Sequence, residues 1–255
     1  MIHFEIDGDG PPLVMLHGWA MHGDVFAPLS QRLRARRTLY RVDLPGHGRS
    51  RGSAITLADT LDHLLPRLPP APWLGWSLGG LIALQAARRA PAQVSGLIAL
   101  CASPRFVRAD DWPHGVEAEV FHRFAQDLGE DHARTIDRFL ALEAHGSEHL
   151  RDDLRVLRER VFQHGEPTAP TLLDGLHQLQ TGDLRAALPT LQTPALWLAG
   201  RRDRLVPWQA MQQAAHTMPN GRFLCFNSGH APFLSHADAV ATAVLDFLDQ
   251  DLPVG

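Results

Sequence analysis

The 255-residue sequence predicts an α/β fold, with a mostly parallel sheet flanked by helices and an inserted helical cap. Short apolar runs alternate with helical spacings from residue 12 to residue 100, which indicates parallel strands joined by right-handed crossovers. From about residue 110 to residue 185 the pattern is helical, without a convincing strand. The alternation returns from residue 194 to residue 248. We therefore expect a first core part at 1–108, a cap at 109–185 and a second core part at 186–255.

The first part supplies most of the predicted sheet. Residues 2–7 alternate apolar and polar side chains as an edge strand does. The continuous apolar run at 12–16 is typical of a strand buried on both faces of a parallel sheet. Residues 38–44, 71–74 and 94–100 are predicted to form further strands. Helical spacings between these runs predict helices at 25–37, 57–68 and 81–90.

The clearest cap helices are predicted at 134–142 and 150–161, where apolar side chains recur at helical spacing. The second core part predicts a strand at 194–200, a helix at 209–216, a strand at 222–226 and a closing helix at 237–248. The chain therefore returns to the sheet after the cap.

Composition excludes several classes of protein. Hydrophobic residues make up 45% and charged residues 20%, which is enough for a buried core and argues against global disorder. The formal net charge of −4 is too near neutral to indicate a nucleic-acid binder. No apolar run has membrane-spanning length, and the N-terminus carries no signal-peptide pattern. The two cysteines, Cys101 and Cys225, are expected to be reduced core residues, so we expect a soluble, cytoplasmic protein. A monomer is a separate expectation, because the sequence does not determine the oligomeric state.

The chain is organised around Gly75-Trp76-Ser77-Leu78-Gly79-Gly80. A strand precedes this stretch and a helix follows it, so it matches the G-x-S-x-G nucleophile elbow. Gly75 and Gly79 should have no room for side chains in so tight a turn. The pattern predicts that Ser77 is a nucleophile presented at the start of a helix, where developing negative charge is favoured. A serine in an ordinary loop is the alternative.

A serine hydroxyl needs a histidine base, and that histidine needs a carboxylate to orient it. In this arrangement the acid and then the histidine follow late strands. Asp203 and His230 have these positions, so we predict the triad Ser77, Asp203 and His230. Taken separately, Asp203 fits a solvated loop acid equally well, and His230 fits a cap on the closing helix.

The developing oxyanion requires two backbone donors. One should be the N–H of Leu78, and the other the N–H of Trp19, in the loop after the first core strand. The Trp19 side chain is expected to form a pocket wall, with ordinary core packing as the alternative.

The remaining candidates have structural explanations. His17 and His47 belong to glycine loops and should stabilise them by hydrogen bonds, and Asp43 should hold the loop at 45–50. His145 and His149 are four residues apart, but no H-E-x-x-H motif surrounds them. We expect no metal and no cofactor.

These motifs resemble those of the α/β-hydrolase superfamily over nearly the whole chain. A finer resemblance is to the family of pimeloyl-acyl carrier protein methyl ester esterases of biotin synthesis. It rests on Trp73-Leu74-Gly75-Trp76-Ser77-Leu78-Gly79-Gly80-Leu81, on His230-Ala231-Pro232-Phe233-Leu234-Ser235-His236 and on the cap segment Arg138-Phe139-Leu140-Ala141-Leu142. The resemblance implies a serine carboxylesterase that removes a methyl ester from a pimeloyl chain on acyl carrier protein, without a cofactor.

The same resemblance implies which residues contact the substrate. The acyl site would consist of Trp19, Ser77, Leu78, Phe139, Leu140, Ala141, Leu142, Glu143 and His230. Because acyl carrier protein is acidic, exposed cap arginines are candidates for docking it, namely Arg134, Arg138, Arg151, Arg155 and Arg158. Residues 110–185 nevertheless hold 8 arginines and 16 acids, a net of 8 − 16 = −8, so these arginines could instead pair with cap acids.

Two further functions stay open at this point. A general carboxylesterase for short acyl esters would use the same triad without a carrier protein. A binding protein of the same fold would keep Ser77 but show little turnover.

Overall fold

The computed structural model describes residues 1–52, 56–250 and 252. Its seven strands form one sheet in the order β1-β3-β2-β4-β5-β6-β7. The strands are β1 His3–Asp7, β2 Pro12–Leu16, β3 Thr38–Asp43, β4 Ala71–Trp76, β5 Val94–Leu100, β6 Ala195–Gly200 and β7 Gly221–Phe226. β1 is antiparallel to β3 at one edge, and every other pair is parallel. The fold class expected from the sequence is confirmed.

The helices lie between the strands and after them. They are α1 Ala27–Leu33, α2 Leu57–Leu64, α3 Leu78–Arg89, α4 Ala118–Glu130, α5 His132–Ala144, α6 Leu150–Val161, α7 Ala169–Thr181, α8 Trp208–Thr217, α9 Pro232–Ser235 and α10 Ala237–Gln250. Short 3-10 helices cover Gly23–Phe26 and Arg185–Thr190. No helix in the described part of the chain is long and apolar enough to cross a membrane.

The central strands β4 and β6 are buried along their whole length, as expected for strands covered on both faces. Helix α2 begins with a capping box, in which the Asp59 N–H donates to Thr56 Oγ1 at 3.1 Å and the Thr56 N–H donates back to Asp59 Oδ2 at 3.2 Å. Reciprocal bonds of this kind satisfy two N–H groups that lack partners at a helix start.

Helices α4–α7 form an insert between β5 and β6. Each has an apolar face, as in α4, where Phe121, Phe124 and Leu128 are buried at helical spacing. The predicted helices at 134–142 and 150–161 are confirmed as α5 and α6, whereas α4 and α7 were not resolved individually from the sequence. The predicted division at 109 and 185 encloses all four helices and stays a prediction.

The predicted helix at 25–37 is wrong in its extent. Residues 23–26 form a 3-10 turn, and α1 ends at Leu33. The reason is the contact between this segment and the turn after β1, because the Asp9 N–H donates to the Arg34 carbonyl at 2.8 Å. That carbonyl is therefore used to fix the turn before β2.

The insert rests on the loops at the carboxyl ends of the strands. The Trp19 indole N–H donates to the Leu172 carbonyl of α7 at 2.8 Å. The His22 ring bonds to the Arg160 carbonyl of α6 at 2.5 Å, and the His164 ring contacts Asp24 at 2.8 Å. These contacts place the insert over the edge of the sheet where Ser77 lies.

Candidate active site

Ser77 stands in the sharp turn between β4 and α3. Its backbone has φ 54° and ψ −117°, a strained conformation for a residue with a side chain. A Cβ at Gly75 would lie 2.2 Å from the Gly79 carbonyl oxygen, and a Cβ at Gly79 would lie 2.2 Å from the Leu16 carbonyl oxygen. The prediction that both glycines lack room for a side chain is confirmed. The turn packs directly against the end of β2.

Asp203 and His230 form a buried pair at the ends of β6 and β7. His230 Nδ1 lies 2.7 Å from Asp203 Oδ2, and neither side chain is exposed. Asp203 Oδ1 accepts hydrogen bonds from the N–H groups of Leu205 and Val206 at 2.8 and 3.0 Å. Asp203 is therefore not a solvated loop acid. With Asp203 ionised, His230 Nδ1 is the donor, and the acceptor lone pair of the neutral ring is on Nε2.

His230 lies beside the residue that precedes Ser77. The Trp76 indole N–H donates to the His230 carbonyl at 2.8 Å, and the two rings are 5.5 Å apart between centroids. His230 Nε2 is buried and makes no hydrogen bond within the described residues, so its bond to Ser77 is not formed in this structure. Catalytic hydrogen bonds commonly shorten only when substrate binds. The roles of Ser77, Asp203 and His230 stay predictions.

The segments that carry the two predicted oxyanion donors both lie next to Ser77. Leu78 is the first residue of α3, so its N–H has no acceptor within the helix. In the second segment, a Cβ at Gly18 would lie 3.3 Å from the Ser77 Cβ, which shows how closely the loop carrying Trp19 approaches the serine. The arrangement can hold an oxyanion between two backbone N–H groups, and this role stays a prediction.

His17 fixes the loop that carries Trp19. Its Nδ1 contacts the Gly18 carbonyl at 2.7 Å, and its Nε2 accepts a hydrogen bond from the Leu44 N–H at 2.9 Å. Burial, followed by the neighbouring His47, lowers the pKa of His17 to about 3, so the ring is neutral and donates from Nδ1. His47 in turn bonds to the Pro45 carbonyl at 3.0 Å. The predicted structural roles of both histidines are confirmed.

Asp43 holds the glycine loop after β3, as predicted. Its carboxylate accepts hydrogen bonds from the N–H groups of Gly23 and Arg49 at 2.8 and 2.9 Å. Its carbonyl accepts from the Ser50 hydroxyl at 2.6 Å. The loop is thereby attached to the segment that follows Trp19.

The Trp19 side chain joins the core to the insert. It is fully buried, and its ring centroid lies 4.5 Å from that of Phe139 on α5. With its indole bonded to α7, the side chain is packed on both sides. The Trp19 side chain therefore lies between the turn that carries Ser77 and the insert. Its contact with substrate stays a prediction.

The predicted acyl-site segment, residues 139–143, lies on α5, but its residues are not all on one face of the helix. Phe139, Leu140 and Glu143 are buried, Leu142 is half-buried and Ala141 is exposed. Because five consecutive helical residues point around more than a full turn, Ala141 is on the outer face while Phe139 and Glu143 are on the inner one. Contact between this segment and an acyl chain stays a prediction.

All five predicted docking arginines are exposed. Three have acidic partners: Arg138 contacts Asp127, Arg155 lies 2.9 Å from Glu159, and Arg158 lies 2.5 Å from Asp137. Within the described residues, Arg134 and Arg151 have no acidic group in ion-pair distance. The alternative of pairing with cap acids therefore holds for three of the five.

Two clusters in the described part of the chain bring three possible metal ligands together. In the first, His22, Asp24 and His164, both Asp24 oxygens already face guanidinium groups, those of Arg41 at 2.9 Å and Arg49 at 3.3 Å. The second is Cys101 with Asp203 and His230. His145 and His149 belong to neither. The expectation that no metal is required stays a prediction.

Sequence reasoning missed the position of Cys101. Its thiol lies beside Asp203, and burial followed by the Asp203 charge raises the pKa of the thiol well above its usual range. The sequence does place Cys101 directly after β5, which pairs with β6, the strand that leads to Asp203. Because the carboxyl ends of parallel strands meet at one edge of the sheet, this place could have predicted the contact between Cys101 and Asp203. Cys101 is therefore a neutral thiol next to the Asp203 carboxyl group.

The sheet order and the turn at Ser77 define the class of protein as an alpha/beta hydrolase. A family model described as alpha/beta hydrolase fold matches residues 11–237. Among solved structures, an esterase (EaEST) from Exiguobacterium antarcticum has a TM-score of 0.86 at 23% identity, covering 98% of this chain and 96% of that one. The enol-lactonase from Burkholderia xenovorans LB400 has a TM-score of 0.86 at 19% identity, with 98% and 96% covered. Likeness at these identities shows the fold.

Closer relatives define the family. A pimeloyl-[acyl-carrier protein] methyl ester esterase from Stenotrophomonas maltophilia (strain R551-3) is 52% identical over 250 residues, 97% of this chain and 96% of the relative. The protein of the same name from Xanthomonas campestris pv. campestris (strain B100) is 52% identical over 252 residues, with 97% and 98% covered. The chain belongs to the pimeloyl-[acyl-carrier protein] methyl ester esterase family of alpha/beta hydrolases.

Proposed function

We propose that the protein is a serine carboxylesterase that hydrolyses the methyl ester of pimeloyl-acyl carrier protein, releasing methanol, in biotin biosynthesis. The observation that carries the chemistry is the buried hydrogen bond of 2.7 Å between His230 and Asp203, beside the turn that bears Ser77. The family relationship supports the substrate, because the relatives at 52% identity are named for that ester.

In the proposed reaction, Ser77 Oγ attacks the ester carbonyl carbon while His230 Nε2 takes the hydroxyl proton. The carbonyl oxygen becomes an oxyanion and accepts hydrogen bonds from the N–H groups of Leu78 and Trp19. When the tetrahedral intermediate collapses, the methoxy group leaves with the proton from His230, as methanol. A water molecule, deprotonated by His230, then attacks the carbonyl carbon of the acyl-enzyme. When this second intermediate collapses, Ser77 Oγ leaves with the proton from His230, which releases the carboxylic acid and restores the enzyme.

Asp203 has two tasks in this scheme. It orients the His230 ring by the bond to Nδ1, and its negative charge stabilises the imidazolium that forms during each proton transfer. Neither step requires a metal or a cofactor. The inner face of α5 next to Trp19 is the proposed wall of the acyl site.

We also propose that the carrier protein docks on the insert. Exposure of the five arginines supports this, and Arg134 and Arg151 are the strongest of them because they lack acidic partners within the described residues. Positive charge on the docking surface would speed the approach of an acidic carrier. We also propose that the protein is a cytoplasmic monomer; the two free cysteines fit the reducing cytoplasm.

The test is hydrolysis by the purified protein of two substrates, pimeloyl-acyl carrier protein methyl ester and p-nitrophenyl butyrate. We expect turnover of both, and loss of at least about a thousandfold in Ser77→Ala with its fold retained. Turnover of the small ester alone would favour the general carboxylesterase. Turnover of neither would favour the binding protein.

A further inference from the structure

Two histidines connect the insert to the loop that carries Trp19. His22 lies in that loop, and its Nε2 bonds to the Arg160 carbonyl in the last turn of α6 at 2.5 Å. His164, just after α6, reaches in the opposite direction, and its Nε2 contacts Asp24 Oδ2 at 2.8 Å. The two ring centroids are 4.7 Å apart, in an edge-to-face arrangement. The core and the insert thus each contribute one histidine to the same junction.

The hydrogen-bond roles of both rings follow from their partners. His22 Nδ1 accepts from the Asp24 N–H at 3.3 Å, so its Nε2 carries the hydrogen and donates to the insert. Asp24 lies 2.9 Å from Arg41 and 3.3 Å from Arg49, so it is a carboxylate that only accepts. His164 Nε2 is therefore the donor to it. Each histidine donates one hydrogen bond across the junction.

The core side of this junction is fixed by a network of ion pairs. Glu5 of β1 lies 2.5 Å from Arg41 and also contacts Arg49. Arg49 lies 3.0 Å from Asp43, whose carboxylate accepts the N–H of the residue before Asp24 at 2.8 Å. The segment around Asp24 is thereby attached to β1, to β3 and to the glycine loop after β3.

The stretch between Trp19 and His22 has a strained backbone. Ala20 has φ 64°, in the left-handed region that residues with a side chain rarely adopt. Such a conformation persists only where the surrounding contacts fix it. On one side these contacts include the bond from the Trp19 indole to α7, and on the other the two histidine bonds to the insert. Because Ala20 directly follows Trp19, relaxation of the strain would move Trp19 and its N–H.

We propose that His22 and His164 are positioning residues for the ester reaction, which hold the Trp19 N–H in place for the oxyanion. This inference rests on the proposed esterase function and on the proposed role of Trp19. A backbone donor stabilises the transition state best when its N–H already points at the place where the charge develops. The insert thus contributes to catalysis by fixing this loop, in addition to covering the site.

Three substitutions separate the bonds across the junction from the fold of the loop. His22→Asn keeps an oxygen that can accept the Asp24 N–H, but this side chain ends short of the Arg160 carbonyl. His164→Ala removes the donor to Asp24, and His164→Gln restores one, because the Gln amide nitrogen lies near the position of Nε2. Gln163→Ala, at the exposed neighbour of His164, is the control.

With p-nitrophenyl butyrate, we expect kcat to fall about five- to fiftyfold in His22→Asn and in His164→Ala, with KM changed less than about twofold. The loss is smaller than the roughly 100- to 1,000-fold that removal of an oxyanion donor costs, because the Trp19 N–H is displaced and not removed. His164→Gln should remain within about threefold of wild type, and Gln163→Ala should equal wild type. A residue that only supports the fold would lower the melting temperature and leave kcat unchanged.

Inhibition by an alkyl trifluoromethyl ketone gives a second measurement, which reports on the oxyanion itself. Ser77 Oγ adds to the carbonyl carbon of the ketone, the hydroxyl proton passes to His230, and the ketone oxygen becomes an oxyanion that needs the same two donors. The inhibition constant should therefore rise in His22→Asn and His164→Ala by about the factor by which kcat/KM falls.

The proposal is overturned if both variants keep kcat within about twofold of wild type, or if Gln163→Ala loses as much as they do. It is also overturned if His164→Gln is no more active than His164→Ala, or if kcat falls while the inhibition constant stays unchanged. Failure of the proposed function is a different result. A wild-type protein that hydrolyses neither ester, or a Ser77→Ala variant that keeps its activity, would refute the function and this inference with it. Unaffected variants of an active, Ser77-dependent enzyme would refute the inference alone.

Discussion

The substitution Asp203→Asn separates the proton position on His230 from the packing that holds the ring. An Asn side chain can still accept the N–H groups of Leu205 and Val206 through its carbonyl oxygen, which now bond to Asp203 at 2.8 and 3.0 Å. Its amide nitrogen then faces His230 Nδ1, and an amide nitrogen can only donate a hydrogen bond, so Nδ1 must become the acceptor. The ring is forced to place its proton on Nε2, where it can no longer accept the proton of Ser77.

The expected loss in kcat is about 10⁴-fold, the size that the wrong tautomer produces in serine hydrolases with such a triad. At about 1.4 kcal/mol for each factor of ten, this is roughly 5 kcal/mol of lost transition-state stabilisation. Stability should hardly change, because the two backbone N–H groups keep their acceptor. Asp203→Ala is the contrasting variant, since it leaves both N–H groups buried without a partner, at about 1–3 kcal/mol each.

The assay is kcat for p-nitrophenyl butyrate together with the melting temperature of each variant. Asp203→Asn should be inactive and melt near wild type, while Asp203→Ala should be inactive and melt roughly 4 °C lower or more. Activity above about a hundredth of wild type in Asp203→Asn would refute the tautomer argument. Equal melting temperatures for the two variants would refute the argument from the backbone donors.

Arg134→Ala and Arg151→Ala should each slow turnover of the carrier-bound ester at least about threefold more than turnover of the small ester. This extra loss on the carrier-bound ester should shrink as salt is added, since exposed charges are screened over about 10 Å at about 0.1 M. Arg88→Ala, on the opposite edge of the sheet, is the control, and an equal extra loss in that variant would contradict docking at the insert. Burial lowers the pKa of His17 to about 3 and of His47 to about 4, so their stabilising contribution is present above the ordinary histidine pKa of about 6.5 and is lost as pH falls toward the folded values. In urea unfolding, the free energy of unfolding should fall by up to about 1.4 kcal/mol per pH unit for each histidine in that window. If His47→Gln shows the same change of this free energy with pH as wild type, His47 does not contribute to it.

The sheet could be predicted from the sequence because its signals are local. β2 is a continuous apolar run, and β5 is apolar except for Ser95 and Gly96; the observed bounds of both strands equal the predicted ones. The limits of α1 could not be predicted, because the residue after its last turn, Arg34, accepts a hydrogen bond from Asp9, which comes 18 residues before the helix begins. Contacts between distant segments decide such ends, and helical spacing alone does not contain them.

Much of the candidate site follows from chain order and strand ends. Parallel strands bring their carboxyl ends to one edge, so residues after β4, β6 and β7 had to lie near one another. The sequence left open whether the docking arginines pair with cap acids. It could not decide the pair between Arg158 and Asp137, because these residues are on different helices and meet only after α5 and α6 pack together. It also could not predict which residues of α5 face inward, because the face depends on how the insert sits on the core.

Glu143 and Asp203 show most clearly what sequence cannot supply. Both are acidic residues near the predicted site, and nothing in their local sequence shows that Asp203 is hydrogen-bonded while Glu143 has no partner among the described residues. The difference arises from backbone geometry: the loop after β6 turns two N–H groups toward Asp203, whereas helix α5 uses its N–H groups for its own hydrogen bonds and has none to offer to Glu143. Burial, followed by the charge of Asp203, raises the pKa of Glu143 well above its usual range. Backbone geometry, and not residue type, decides which of the two buried acids meets hydrogen-bond donors.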